Sequence, residues 1–283
     1  MEVVRIRYCR AVIMQTVINW VGSKRKLISA LDQYLPKKIE NYFEPFAGSA
    51  SMAFHLMTEK RIKGLVTLSD TNSNLIAAYK CLVNPDRRAI VLEKMAIHQD
   101  NHSKEYFNSV KKCGYNSIED IAARFLYFNR AAFSGIYRVN SQDRYNVTPK
   151  TQSAVSWLKN EDYINAGQFL STSKIYCTSY EYILDAIKPG DLVFLDPPYH
   201  SIFLSRERLY TAKPFTFEDQ KKLKLFCDEI NKKGAYFMQT NSIEREMKNL
   251  YSSYNISLMG VKYTSHGSDP NVKTHEMIVR NYE

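Results

Sequence analysis

Short apolar runs alternate with helical stretches along most of this 283-residue chain, which restricts it to a parallel or mixed sheet covered by helices. Strands are predicted at Tyr42–Phe46, Leu65–Ser69, Ile175–Thr178, Leu192–Leu195, Ala235–Gln239, Ser257–Tyr263 and Glu276–Arg280. Helices are predicted between them, the first at Lys24–Leu35, with Ser23 as its N-cap and Pro36 beyond its end. Others follow at Ser51–Glu59, Asn74–Leu82, Ile118–Asn129, Phe217–Lys232 and Ile243–Tyr251. From Ala131 to about Gly167 the rhythm breaks: the stretch is rich in Ser, Asn, Arg, Tyr and Thr, lacks a clean period, and reads as an excursion from the main sheet. The length allows one α/β core plus an inserted subdomain.

Composition narrows the partners. Hydrophobic residues at 45% and aromatics at 13% exclude a disordered chain, and a formal charge of +10 favours a polyanion. Cys9, Cys81, Cys113, Cys177 and Cys227 form no CxxC pair, which fits reduced thiols in an intracellular, cytoplasmic protein. The six histidines show no ligand spacing, so no metal is expected. Arg5, Arg7 and Arg10 interrupt the apolar residues of the N-terminus, leaving neither a signal-peptide core nor a membrane-length run. Met1–Gln15 reads as an upstream extension, with Met14 the more natural start of the structured part.

The sharpest motif is Leu192-Val-Phe-Leu-Asp196-Pro197-Pro198-Tyr199, an apolar strand running into an acid, two prolines and an aromatic. Ligands collect at the carboxyl ends of strands in α/β sheets, so these four residues sit where a substrate would be held. An adenine amine is a poor nucleophile because its lone pair is delocalised into the ring. The Asp196 carboxylate and the Pro197 carbonyl, each accepting one N–H, would draw that nitrogen towards tetrahedral geometry and aim its lone pair. The prolines fix φ and bring no competing N–H, and Tyr199 offers a flat face for a base. A plain strand-ending turn could also carry Asp-Pro-Pro.

A second constellation, Phe43-Glu44-Pro45-Phe46-Ala47-Gly48-Ser49-Ala50-Ser51, leads from a strand through a small-residue turn into a helix. Small residues let the backbone approach a nucleoside cofactor, and Asp70, after the next strand, is placed to accept from ribose hydroxyls. GxGxxG is absent, which disfavours a dinucleotide. Upstream, Asn19-Trp20-Val21-Gly22-Ser23-Lys24-Arg25-Lys26 puts a Trp, a Gly and three bases at a helix start. It could wrap a cofactor and touch a phosphate, or be a capped, solvated basic helix.

From Asn19 to Tyr282 the chain resembles the Dam-type DNA adenine-N6 methyltransferases, in the alpha-group order of cofactor turn, recognition insert and Asp-Pro-Pro-Tyr. The resemblance implies a Rossmann-like S-adenosylmethionine-dependent sheet (16–83 and 168–283) with a mostly helical DNA-recognition domain (84–167) inserted. It implies methyl transfer to the N6 amine of a flipped adenine in double-stranded DNA, with a cognate restriction endonuclease as a possible partner. By this likeness Asn19, Trp20, Gly22 and Lys24 join the cofactor pocket with Glu44, Pro45, Phe46, Gly48, Ser49 and Asp70, while Asp196, Pro197, Pro198 and Tyr199 grip the adenine beside it.

The insert carries a further match in Phe125 to Asn140, which in the family is a helix end and a hairpin entering DNA beside the target. Mapped across, Phe133 wedges into the stack, Ser134, Ile136 and Arg138 face base edges, and Lys24, Arg130 and Asn140 join the DNA contacts. Flipping a base costs a few kcal/mol, and an inserted aromatic can fill the vacated space. A core role for Phe133 is the competing reading. Two departures stand out: Ala50 replaces a common second glycine, and Tyr145-Asn-Val-Thr-Pro149-Lys replaces the usual Phe-Asn-Val-Pro.

Two other functions compete. Methylation of an RNA adenine or a protein glutamine amide needs the same grip, but such relatives more often carry Asn at the position of Asp196 and lack this insert. A DNA-binding module without catalysis would have no reason to keep Asp70, Asp196 and Tyr199.

Overall fold

A computed structural model describes residues 16–114, 116–135, 137–140, 145–199, 215–261 and 274–283. The predicted extension Met1–Gln15 lies outside them.

Seven strands form one sheet: β1 (Tyr42–Glu44), β2 (Val66–Asp70), β3 (Lys174–Cys177), β4 (Leu192–Leu195), β5 (Tyr236–Ser242), β6 (Asn255–Val261) and β7 (Thr274–Arg280). Their order is β3-β2-β1-β4-β5-β7-β6, parallel except that β7 runs antiparallel to both its neighbours. This is the Rossmann-like methyltransferase arrangement expected from the sequence.

β4 shows why the sheet is covered on both faces. All four of its residues are buried, as an apolar run in a parallel sheet requires. Side chains alternate across a strand, so Leu192 and Phe194 join one core cluster while Val193 and Leu195 join the other. The first cluster holds α2 (Ser51–Thr58), α3 (Ser73–Val83) and the helices of the insert. The second holds α8 (Phe217–Lys232), α9 (Arg245–Leu250) and a 3₁₀ segment at Tyr180–Ala186.

The insert contributes α4 (Pro85–Asp100), α5 (Lys104–Lys112), α6 (Ile118–Ala131) and α7 (Asn160–Phe169). Of these only α6 was expected. The start signals of two others are present: Asn84 caps α4 by accepting from the Arg87 amide at 3.0 Å with Pro85 in the first turn, and Ser103 caps α5 by accepting from Tyr106 at 3.0 Å. The predicted Lys24–Leu35 helix is instead broken into a 3₁₀ turn at Lys24–Lys26, α1 (Ile28–Leu31) and a second 3₁₀ turn at Asp32–Tyr34. Tertiary partners override its propensity at both ends: Lys24 is drawn inward, and Asp32 is held by His55 and Arg61.

No helix among the described residues is long and apolar enough to cross a membrane. α7 packs so closely on α3 that a Cβ on Gly167 would lie 2.0 Å from the Leu82 carbonyl oxygen and 2.8 Å from Arg88 Nη1. Gly167→Ala is therefore expected to destabilise the fold by roughly 3 kcal/mol, read as a fall in the urea midpoint.

Candidate active site

The chain leaves β1 for β2 and β3 on one side, then returns to β4 and β5 on the other. β1 and β4 are thus neighbours at a topological switch point, the place where open α/β sheets bind ligands over the carboxyl ends of their strands. Glu44 ends β1 and Asp196 follows β4.

Asp196 is held from two sides. Lys24 Nζ donates to it at 2.7 Å from Oδ1 and 2.9 Å from Oδ2, and Thr240 Oγ1 on β5 donates to Oδ1 at 2.7 Å. The lysine side chain is 4% exposed, the aspartate 20%. Lys24 also donates to the Gly22 carbonyl at 2.8 Å, lies 4.9 Å from the centre of the Tyr199 ring and stands 3.9 Å from Glu276 Oε2. Tyr199 in turn donates its hydroxyl to Glu276 Oε2 at 2.9 Å. Behind the prolines, Gln220 Nε2 donates to the Pro198 carbonyl at 3.0 Å, and Asn241 Nδ2 donates to Gln220 Oε1 at 3.0 Å. Among the described residues nothing donates to the Pro197 carbonyl.

The turn after β1 is pinned on both its polar groups. Asp70 Oδ2 accepts from the Gly48 amide at 3.1 Å, and Tyr79 donates to the Gly48 carbonyl at 2.9 Å. Gly48 has φ 46°, and a Cβ there would sit 2.6 Å from Trp20 Cδ1, so both conformation and space demand glycine. Burial pushes the Asp70 carboxyl up to about 6, against the amides that hold it ionised. Glu44, buried and accepting from the Tyr42 hydroxyl at 2.9 Å and the Ala53 amide at 3.0 Å, is pushed by burial up to about 8. Pro45 and Ser49 are buried, and Ser49 Oγ lies 2.7 Å from Ser23 Oγ. Phe46 is partly open beside Tyr180 and Phe215. These residues suit a nucleoside: one close-approach turn, one carboxylate free to accept further hydrogen bonds as its pKa is passed, and flat apolar sides.

Ala50 occupies the left-handed region at φ 53°. That conformation costs an L-residue about 1–2 kcal/mol. Its fully buried methyl offsets roughly 0.8 kcal/mol, so alanine is tolerated where glycine would be unstrained.

Asn19 and Trp20 tie this turn to the insert. The Asn19 amide donates to Asn129 Oδ1 at 2.8 Å, and Asn129 Nδ2 returns a bond to the Asn19 carbonyl at 2.6 Å. Trp20 stacks on Tyr137 with centroids 5.8 Å apart. Beyond α6 the chain folds into the expected hairpin, with antiparallel bridges Ala132↔Pro149 and Val139↔Tyr145. Phe133 is 57% exposed, which removes the core reading for it. Arg138 Nε donates to the Asn146 carbonyl at 3.0 Å, and Asn140 is half-buried in the same arm. Ile136 and the Ser134 side chain lie outside the described residues.

Two expectations are corrected. Lys24 was expected either to join the cofactor pocket and touch a phosphate or to lie on a capped, solvated basic helix; its ammonium is buried on Asp196, whose carboxylate needs a counter-charge, so it is neither solvated nor turned to a phosphate. Arg130 was expected on DNA; its guanidinium turns back to the Val17 carbonyl, and its own carbonyl accepts from Lys150 Nζ at 2.9 Å. Sequence reasoning missed Thr240, Gln220, Asn241 and Glu276 behind the motif. No local pattern marks them, since each reaches the site only through strand pairing or the packing of α8.

A parallel sheet with one antiparallel strand, a tight glycine turn after β1 and an acid–proline–proline–tyrosine run after β4 are together the arrangement of an S-adenosylmethionine-dependent methyltransferase. The family model for D12 class N6 adenine-specific DNA methyltransferases matches residues 20–265. The chain belongs to that family and is a DNA adenine-N6 methyltransferase. A Type II methyltransferase of Lactococcus lactis subsp. cremoris is 30% identical over 280 residues, covering 93% of this chain and 94% of the relative. A Type II methyltransferase of Methanocaldococcus jannaschii is 26% identical over 284 residues, covering 94% and 98%. The solved rRNA methyltransferase aviRa from Streptomyces viridochromogenes overlaps 98% of this chain and 94% of its own, at 11% identity and a TM-score of 0.42.

Two outcomes follow from the turn. Gly48→Ala is expected to weaken cofactor binding at least tenfold by calorimetry, because the new methyl must displace Trp20; unchanged affinity would contradict this packing. Glu44 has a raised folded-state pKa, so it costs stability progressively as pH rises from about 4.5 to about 8. Melting of Glu44→Gln is therefore expected to gain on the parent across that window and to run parallel to it above.

Proposed function

We propose that Asp196, the Pro197 carbonyl and Tyr199 hold the N6 amine and ring of an adenine turned out of double-stranded DNA. The observation that carries this reading is the Lys24 ammonium, an N–H donor already seated on both oxygens of Asp196 and over the face of Tyr199. An amine entering from the crevice needs the same two surfaces. Thr240 and Gln220 fix the carboxylate and the proline turn beforehand, so little reorganisation accompanies charge development on nitrogen.

The turn at Gly48, with Trp20, Phe46, Asp70 and the Asn19–Gly22 strand of backbone, would hold S-adenosylmethionine. When bound, that cofactor supplies a methyl group on a positively charged sulfur, already activated for attack. Asp70 would accept from the ribose hydroxyls in its ionised form. Asp196 orients the amine and stabilises the positive charge it gains; no strong base is needed before attack.

Residues 84–167 form the recognition part in this reading, against a catalytic part of 16–83 and 168–283. Phe133, exposed at the base of the hairpin, fills the space left by the flipped base. Arg138 and Asn140 reach DNA along the same arm, joined by Ser134 and Ile136 on the strength of the family resemblance. The net charge of +10 supports binding to the phosphate backbone. The Type II names of the two relatives support pairing with a restriction endonuclease, acting in the cytoplasm.

Asp196→Ala is expected to lower labelled-methyl incorporation into duplex DNA by roughly 10²–10³-fold, as losing a preorganised polar group does, while DNA affinity stays within a few-fold. Retained turnover would sink the reading. Phe133→Ala is expected to slow single-turnover methylation by about tenfold with non-specific DNA affinity kept, since flipping alone costs a few kcal/mol. Cofactor affinity is expected to fall as pH drops through about 6, where Asp70 takes up its proton. The pH dependence should vanish in Asp70→Asn.

A further inference from the structure

We propose that Glu276 is a positioning residue that receives the Lys24 ammonium when the target adenine takes over Asp196, and anchors the Tyr199 ring while it does so. The inference rests on the reading that Asp196 and Tyr199 grip the base.

Glu276 belongs to β7, paired with Ser242 on β5 and Met259 on β6. Because β7 runs against the other strands, its first half lies at the carboxyl end of the sheet. This brings Glu276 to Tyr199 across 77 positions of sequence. Its carboxylate is almost completely buried, at 2% exposure. A buried carboxylate needs a cation or hydrogen-bond donors, and Glu276 has both within reach: the Tyr199 hydroxyl at 2.9 Å and Lys24 Nζ at 3.9 Å, on the same oxygen.

Lys24 makes four polar or cation–π contacts: Asp196, the Tyr199 ring, the Gly22 carbonyl and Glu276. An adenine held as proposed claims the first two. The other two then remain, and of these only Glu276 carries charge. A short shift of the ammonium towards Glu276 keeps it paired inside the protein, whereas without Glu276 the base would have to strip a buried lysine of the one anionic partner left to it among the described residues. One ammonium between two carboxylates therefore lets Asp196 exchange a charged donor for a neutral one at low cost. Tyr199, tethered by its hydroxyl, keeps its face turned to the vacated space.

The test is a double-mutant cycle on the full chain with S-adenosylmethionine and duplex DNA. Glu276→Gln keeps an acceptor for Tyr199 and removes the charge. It is expected to lower the single-turnover rate by about fivefold or more, with cofactor and DNA affinities within about twofold, as a lost buried counter-charge would. Glu276→Asp is expected to recover part of that rate. In a Lys24→Met background the Glu276→Gln loss is expected to disappear, since no ammonium needs a new partner. A smaller loss in Glu276→Gln, no recovery in Glu276→Asp, or losses that multiply with Lys24→Met would overturn the proposal. If the glutamine variant does not fold, the same cycle is run with Glu276→Asp. Failure of the underlying site reading looks different: Asp196→Ala would still methylate DNA.

Discussion

The site depends on the Asp196 carboxylate, held rigid between Lys24 and Thr240 at the end of a fully buried strand. β4 delivers that carboxylate because its four apolar residues pack on both faces of the sheet, leaving the next residue at the crevice. The two prolines then fix the exit direction, and Gln220 anchors the second of them through its carbonyl. Low exposure keeps the charges of Lys24, Asp196 and Glu276 poorly screened, so they act strongly on one another.

The Gly48 turn and the hairpin after α6 form one packed unit. Asn19 and Asn129 exchange amide hydrogen bonds, while Trp20 lies against Gly48 on one side and Tyr137 on the other. Asn74 Nδ2 donates to the Tyr137 hydroxyl at 2.8 Å, fastening the hairpin to the start of α3 as well. The insert shares a single buried cluster with one face of the sheet, through residues such as Phe125, Leu126 and Phe128 of α6. The position of the hairpin that carries Phe133 is therefore set from the same core that holds the Gly48 turn.

Much of this was legible in the sequence because the signals are local. The seven strands follow from apolar runs, although β5 runs three residues beyond its expected end, β1 stops two residues short of its own, and β6 and β7 each begin two residues earlier than expected. Asp196, Tyr199, Gly48 and Asp70 each lie at a strand end, where position and chemistry coincide. α4, α5 and α7 were missed although caps such as Asn84 and Ser103 were in plain view, because neither the segment between α3 and α6 nor the irregular stretch after α6 has the strand rhythm that anchored the rest. Lys24 was read in two ways, in the cofactor pocket or on a solvated face beside Arg25 and Lys26, and only the tertiary fold reveals the carboxylates that draw it inward. Glu276 and Thr240 were invisible, since strand order rather than sequence brings them to Asp196.

The most direct measurement is a crystal structure of the protein with duplex DNA and a cofactor analogue that cannot transfer its methyl group. The expected result is the flipped adenine against the Tyr199 ring, its N6 within hydrogen-bond distance of Asp196 and of the Pro197 carbonyl, and Lys24 withdrawn from Asp196. An adenine lodged elsewhere, with the Lys24–Asp196 pair intact, would contradict it.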